Sequence, residues 1–185
     1  MQYYYPISAD DAFLMVIDIQ DRLCAAMESS EHSAVGKNTG RLMDAAAITG
    51  VPVITTEQYP KGLGSTIELL RNKDSNIRFE KLYFNAMADE KIREHTASLR
   101  RTTAILAGME AHICVFFTAM DMLERGFHVV IASDAVCSRN QLNKQEALAQ
   151  LRAAGALVLP SETIMFSLIE KAGTEEFKKI SALVK

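Results

Sequence analysis

Five stretches of the chain are apolar at nearly every position and do not alternate: residues 13–19, 51–55, 103–106, 128–132 and 156–159. Unbroken apolar runs of this length mark strands that are covered on both faces. Between them lie longer segments, 35–49, 89–100, 112–125 and 141–154, where apolar residues recur at helical spacing among polar ones. Gly50, Gly126 and Gly155 each follow such a segment, where a left-handed residue closes a helix. Ser65-Thr66-Ile67-Glu68 and Ser138-Arg139-Asn140-Gln141 fit capping boxes at helix starts. The tail, 174–185, predicts a last helix. Its acidic Glu175 and Glu176 come first and Lys178, Lys179 and Lys185 follow, the order that complements a helix dipole. Strands alternating with helices predict a parallel sheet with helices on both faces and right-handed crossovers. No linker, repeat or low-complexity run interrupts the pattern, so residues 1–185 are expected to form a single domain.

Composition narrows the class. The 185 residues are 49% hydrophobic and 23% charged, enough to bury a core without covalent staples. With 20 basic and 23 acidic side chains the net charge is −3, too balanced for electrostatic binding of nucleic acid. Three cysteines without a CxxC pair argue against a disulfide framework and a zinc ribbon. The start, MQYYYPISADD, lacks the basic and apolar regions of a leader, and no apolar run approaches the ~18 residues of a membrane span. A cytoplasmic protein with free thiols is the expectation.

Several chemistries lack their motifs. There is no GxxxxGK[ST], and Gly62-Leu63-Gly64 is only half of a GxGxxG, which weakens a nucleotide- or flavin-binding reading. His32, His95, His112 and His128 show no HxxxH or HExxH spacing, so no built-in metal site is expected. The informative residues stand at strand ends. Asp18 closes the first apolar run, where it either faces a crevice or caps the next helix. Cys114 opens a helical run soon after the third strand. There the helix dipole would lower its pKa, unless it is an inert buried thiol. Lys81 sits among Phe79, Leu82, Tyr83 and Phe84. That setting suggests a packed ammonium in need of a carboxylate or thiolate, in place of an ordinary surface lysine. Cys24, in a helical stretch, and Cys137, in a loop after a strand, read as inert. The loop 57–65 is either a site wall or a plain turn.

These contexts together resemble a known family. Asp18 in VIDIQ, Lys81 in FEKLYFNAM and Cys114 in GMEAHICV are similar to the Asp–Lys–Cys triad of the isochorismatase-like cysteine hydrolases. The loop TEQYPKGLG, from Thr56 to Gly64, and the segment from Asp134 to Arg139 resemble the isochorismatase domain-containing subgroup, some of whose members are labelled mar1 ribonucleases. The resemblance implies a three-layer α-β-α Rossmann-like sandwich with a six-stranded parallel sheet. It implies a cis peptide at Met109–Glu110 and an oxyanion hole made by the backbone N–H groups of Glu110 and Cys114. It further implies a cofactor-free hydrolase, a homo-oligomer between dimer and octamer, and a small-molecule substrate. By placement beside the motifs, Gln20, Gln58, Tyr59, Phe84 and Asn85 are expected to line the pocket.

Two departures refine this. The nicotinamidase branch carries a metal-binding DxH after the second strand, where this chain has Thr55-Thr56-Glu57-Gln58-Tyr59. The isochorismate-cleaving branch proceeds without the cysteine, so Cys114 favours an amide or carbamoyl substrate over a vinyl ether. An acidic chain gives a ribonuclease label no support. The alternative is a catalytically silent interaction protein that kept the fold.

Overall fold

The computed structural model describes residues 7–73 and 77–185, so the first six residues of the start read above lie outside the described part. In chain order the elements are β1 (Ala12–Ile17), α1 (Asp21–Ala25), α2 (Ser29–Thr49), β2 (Val53–Gln58), α3 (Pro60–Leu63), α4 (Glu68–Arg71), β3 (Arg78–Lys81), α5 (Glu90–Ser98), β4 (Thr103–Met109), α6 (Phe116–Glu124), β5 (His128–Cys137), α7 (Gln141–Ala153), β6 (Leu157–Leu159), α8 (Ser161–Ser167) and α9 (Glu175–Leu183). A 3-10 turn, Ala86–Ala88, precedes α5, and a π-helical turn, Ala111–Val115, runs straight into α6.

The sheet has six strands in the order β3-β2-β1-β4-β5-β6, and every neighbouring pair is parallel. Successive side chains of a strand point to opposite faces, so a central strand needs apolar residues at both parities. β1 shows this. Ala12, Leu14 and Val16 pack into one core with Val35, Leu42 and Met43 of α2, Ile164 of α8 and Ile180 of α9. Phe13, Met15 and Ile17 pack into the other with Ile92 of α5, Met122 of α6 and Leu151 of α7. The result is the expected three-layer arrangement. Full burial of side chains of this size contributes about 1.5–3 kcal/mol each before entropy is counted.

The strand order fixes where a site can form. The chain winds outward from β1 through β2 to β3, then returns to β4 on the other side of β1. The reversal leaves a crevice beyond the C-terminal ends of β1 and β4, where ligands bind in sheets of this kind.

Several local expectations need correction. β2 runs to Gln58, three residues past the apolar run, because Glu57 and Gln58 are buried through their own hydrogen bonds. The following loop is then not featureless but carries α3. β5 runs to Cys137, which is therefore the last residue of a strand and not part of the loop beyond it. Neither capping box forms. α4 starts after Ile67 without a side-chain cap, and α7 is capped by Asn140, whose Oδ1 accepts from the Leu142 N–H at 2.9 Å.

Candidate active site at the switch point

Asp18 directly follows β1, with a left-handed φ of 53°. Such a conformation costs a non-glycine residue about 1–2 kcal/mol, and Asp tolerates it better than most. Its surroundings hold it there. The Asp18 N–H donates to the Thr56 carbonyl at 3.1 Å, and the Asp18 carbonyl accepts from the Gln20 N–H at 2.9 Å. The side chain is fully buried and both oxygens are engaged: Oδ1 accepts from Thr56 Oγ1 at 2.7 Å and Oδ2 from Lys81 Nζ at 2.6 Å. Asp18 therefore caps no helix. The cap position of α1 belongs to Gln20.

Lys81 ends β3, the edge strand, and its ammonium reaches past β2 to the end of β1. Gln58 stands opposite Lys81 in the register of β2 and β3 and bridges the span. Lys81 Nζ donates to Gln58 Oε1 at 2.7 Å and to the Tyr83 carbonyl at 3.2 Å, besides Asp18. The Phe84 carbonyl stands at 3.4 Å as well, so four oxygen acceptors share the three protons of the ammonium. Both side chains of the Lys81–Asp18 pair are 0% exposed. Such a pair is a poor source of stability relative to an apolar one, but breaking it strands a buried charge.

Cys114 lies in the π-helical turn after β4. The Glu110 carbonyl accepts from the Ile113 N–H at 3.1 Å and from the Val115 N–H at 3.2 Å. In an α-helix that carbonyl would take the Cys114 N–H. The wider turn passes the Cys114 N–H over as a donor to that carbonyl. The thiol itself contradicts the expectation from the dipole. Burial, and next the negative charge of Asp18, push its pKa up to about 12, against the pull of Lys81. Burial and the neighbouring carboxylate thus favour the protonated thiol over the thiolate. Burial also pushes Cys24 up to about 11 and Cys137 to about 12. What separates Cys114 from them is its neighbours: the Asp18 carboxylate and the Lys81 ammonium both lie close enough to act on the charge of its sulfur.

The five residues placed beside the motifs divide. Tyr59, with a left-handed φ of 39°, is half-exposed and lines a cavity of about 460 Å³ with Lys81, Leu82 and Tyr83. Phe84 is exposed next to that rim. Gln58 is buried and holds Lys81, while its Nε2 donates to the Leu82 carbonyl at 2.8 Å. Gln20 and Asn85 spend their amides inside the protein. Gln20 Nε2 donates to the carbonyls of Gly64 (2.6 Å) and Gln58 (3.1 Å), and its Oε1 accepts from the Gln58 N–H at 2.8 Å. Asn85 Nδ2 donates to Asp121 at 2.6 Å, and its Oδ1 caps the 3-10 turn.

Two residues escaped the sequence reading. Thr56 holds the second oxygen of Asp18, and no motif singles out its hydroxyl. Gly108 lies in β4 against β1 with φ +136°, and a Cβ there would stand 2.0 Å from the Ile17 carbonyl oxygen. A glycine inside a strand run signals such a close approach, so this one was findable. The peptide between Met109 and Glu110 is cis. Among the described residues no group of three or more His, Cys, Asp or Glu side chains could hold a metal ion, and no helix is long and apolar enough to cross a membrane.

Comparison with known proteins agrees with this architecture. A family profile described as Isochorismatase domain matches residues 12–163. Secreted isochorismatase effector Isc1 of Phytophthora sojae (strain P6497) is 35% identical over 177 residues, which cover 93% of this chain and 83% of that protein. Isochorismatase domain-containing protein 1 of Danio rerio is 32% identical over 169 residues, 91% of this chain but only 59% of the longer relative. Among solved structures, MAR1 ribonuclease from Caenorhabditis elegans superposes with a TM-score of 0.90 at 32% identity, covering 97% of this chain and 92% of the other.

Proposed function

The chain belongs to the isochorismatase family, whose hydrolase fold it shares, and on that footing we propose that it is a cysteine hydrolase cleaving a C–N bond of a small amide or carbamoyl compound. One observation carries the proposal: a fully buried carboxylate and ammonium, 2.6 Å apart, that both act on the charge of one buried thiol at the sheet's switch point. Since that thiol holds its proton at neutral pH, attack and proton transfer go together. Asp18 takes the proton as Cys114 Sγ bonds to the carbonyl carbon. The oxyanion forms against the N–H groups of Glu110 and Cys114. Lys81 balances the charge gathered on Asp18 and sulfur. Asp18 then gives its proton to the nitrogen, which leaves with the bond's electron pair. Water, losing a proton to Asp18, cleaves the thioester and restores the thiol.

Lys81 already has Asp18 as counter-ion, so a substrate anion would find no free charge there. This supports an uncharged substrate, entering past Tyr59 and Phe84. Residues 1–185 are taken as a single such domain. The three free cysteines fit a reducing, cytoplasmic setting. Exposed Leu82, Tyr83, Phe84 and Phe117 support a homo-oligomer, between dimer and octamer.

The test is ammonia release from a panel of small amides and carbamoyl compounds, with wild type beside Cys114→Ala. Turnover is expected for the wild type alone. Turnover that survives the loss of the thiol overturns the proposal.

A further inference from the structure

The side chain of Glu110 has no part in the steps above, yet it is among the most heavily anchored groups near the site. Its carboxylate is only 6% exposed and takes two kinds of donor from one residue. The Arg139 N–H donates to Oε2 at 2.9 Å, and Arg139 Nε stands 3.2 Å from each oxygen. Arg139 lies in the short connection between β5 and α7. Met109 and Cys137 are register partners at the ends of β4 and β5, so the residues that follow each strand meet side by side. A second fastening joins the same two segments: His112 Nδ1 lies 2.9 Å from Ser138 Oγ, with Asn143 Nδ2 3.4 Å from the other ring nitrogen. The π-helical turn is thus tied at residues 110 and 112 to residues 138 and 139. The turn carries both amides assigned to the oxyanion.

We propose that Arg139 is a positioning residue of the oxyanion turn, acting through the Glu110 carboxylate. The inference rests on the hydrolase reading above and adds a residue to it. Two physical effects combine. An exposed ion pair adds little to stability, and Arg139 is 60% exposed on its side of the pair. Its value lies in geometry, since an amide donor acts only when it is aimed where the oxyanion forms. The guanidinium also neutralises the carboxylate that Glu110 brings next to a developing negative charge.

Two probes of Cys114 separate this role from thiol activation and from folding. p-Nitrophenyl acetate acylates the sulfur through a tetrahedral oxyanion: the S–C bond forms, p-nitrophenolate leaves with the bond's electron pair, and the thiol proton passes to Asp18. Iodoacetamide alkylates the same sulfur at a saturated carbon, with iodide leaving and no oxyanion formed. In Arg139→Met the Arg139 backbone N–H remains and the guanidinium is lost. Acylation is expected to slow about tenfold, less than the about 10²–10³ that follows removal of a donor outright. The alkylation rate should not move even where the uncovered Glu110 carboxylate lowers the thermal midpoint, and Arg139→Lys should recover part of the acylation rate. Unchanged acylation in Arg139→Met overturns the inference, as does an equal fall in both rates. A wild type whose Cys114 is alkylated but never acylated overturns the hydrolase reading and this inference with it.

Discussion

At the scale of single residues the site is a problem of one proton among three groups. Asp18 raises the pKa of the Cys114 thiol, and Lys81 lowers it. The two replacements therefore act in opposite directions. In Asp18→Asn the ammonium loses its carboxylate, and a thiolate becomes its natural counter-ion. The pKa of Cys114 falls from about 12, so alkylation by iodoacetamide near pH 7 should speed up while hydrolysis stops for want of a base. In Lys81→Met the thiol loses the group that favours its charge, and Asp18 loses its buried counter-ion. Alkylation and hydrolysis should both fall. Rates measured from about pH 6 to 10 check the signs, and an alkylation rate that drops in Asp18→Asn would contradict the assignment of the base. Either single change also leaves a buried charge alone, at a cost of about 3–5 kcal/mol, so unfolding midpoints belong beside the rates. Asp18 stood out in the sequence because it closes an apolar run and Cys114 because it opens a helical one, whereas Lys81 drew notice through its apolar neighbours and the family resemblance. The state of the thiol was not legible there. A position in the first turn of a helix suggests a lowered pKa, and only the fold reveals that burial and Asp18 outweigh it.

Elements deliver these side chains, and the tightest demand falls between β1 and β4. Asp18 and Cys114 can meet only if the two strands close up beside Gly108, where the ladder between β4 and β5 also shifts register. Gly108→Ala would set a methyl 2.0 Å from the Ile17 carbonyl oxygen and force a side chain onto φ +136°. Backbone strain and overpacking add to about 3 kcal/mol or more. The urea midpoint should fall accordingly, and acylation of Cys114 should fall further than stability alone explains. A neutral Gly108→Ala would mean that the strands can separate there without consequence. At this scale the sequence was uneven. The five long apolar runs were readable because burial on both faces leaves little else. β3 was not, since Arg78–Lys81 is a four-residue edge strand with only Lys81 buried, and its one buried side chain is the charged one. The π-helical turn had no signal either, because its apolar spacing is also that of an ordinary helix start.

For the whole molecule, the alternation of strands and helices announced a parallel sheet, and the resemblance to the family supplied six strands. Neither the helices nor the runs carry strand order. That order depends on which side of β1 the chain returns to after β3, a tertiary choice that places the crevice. The finished fold buries all three cysteines, with a consequence for its stability as a unit. Each thiol is pushed up from 9.0, to about 11 for Cys24 and about 12 for Cys114 and Cys137. Above pH 9 the unfolded chain gives up these protons while the folded one keeps them, so the folded state binds more protons and stability declines as pH rises. Below pH 9 both states hold the protons and the cysteines contribute no slope. Each group adds at most about 1.4 kcal/mol per pH unit to the decline. Cys137→Ala removes one of the three without touching the Asp18–Lys81 pair. It should lower the plateau through the cavity it leaves, yet flatten the alkaline limb by about a third of the cysteine share. Unfolding midpoints from about pH 7 to 11 check this. A limb of equal steepness in the two proteins would show that Cys137 ionises in the folded state as readily as in the unfolded one.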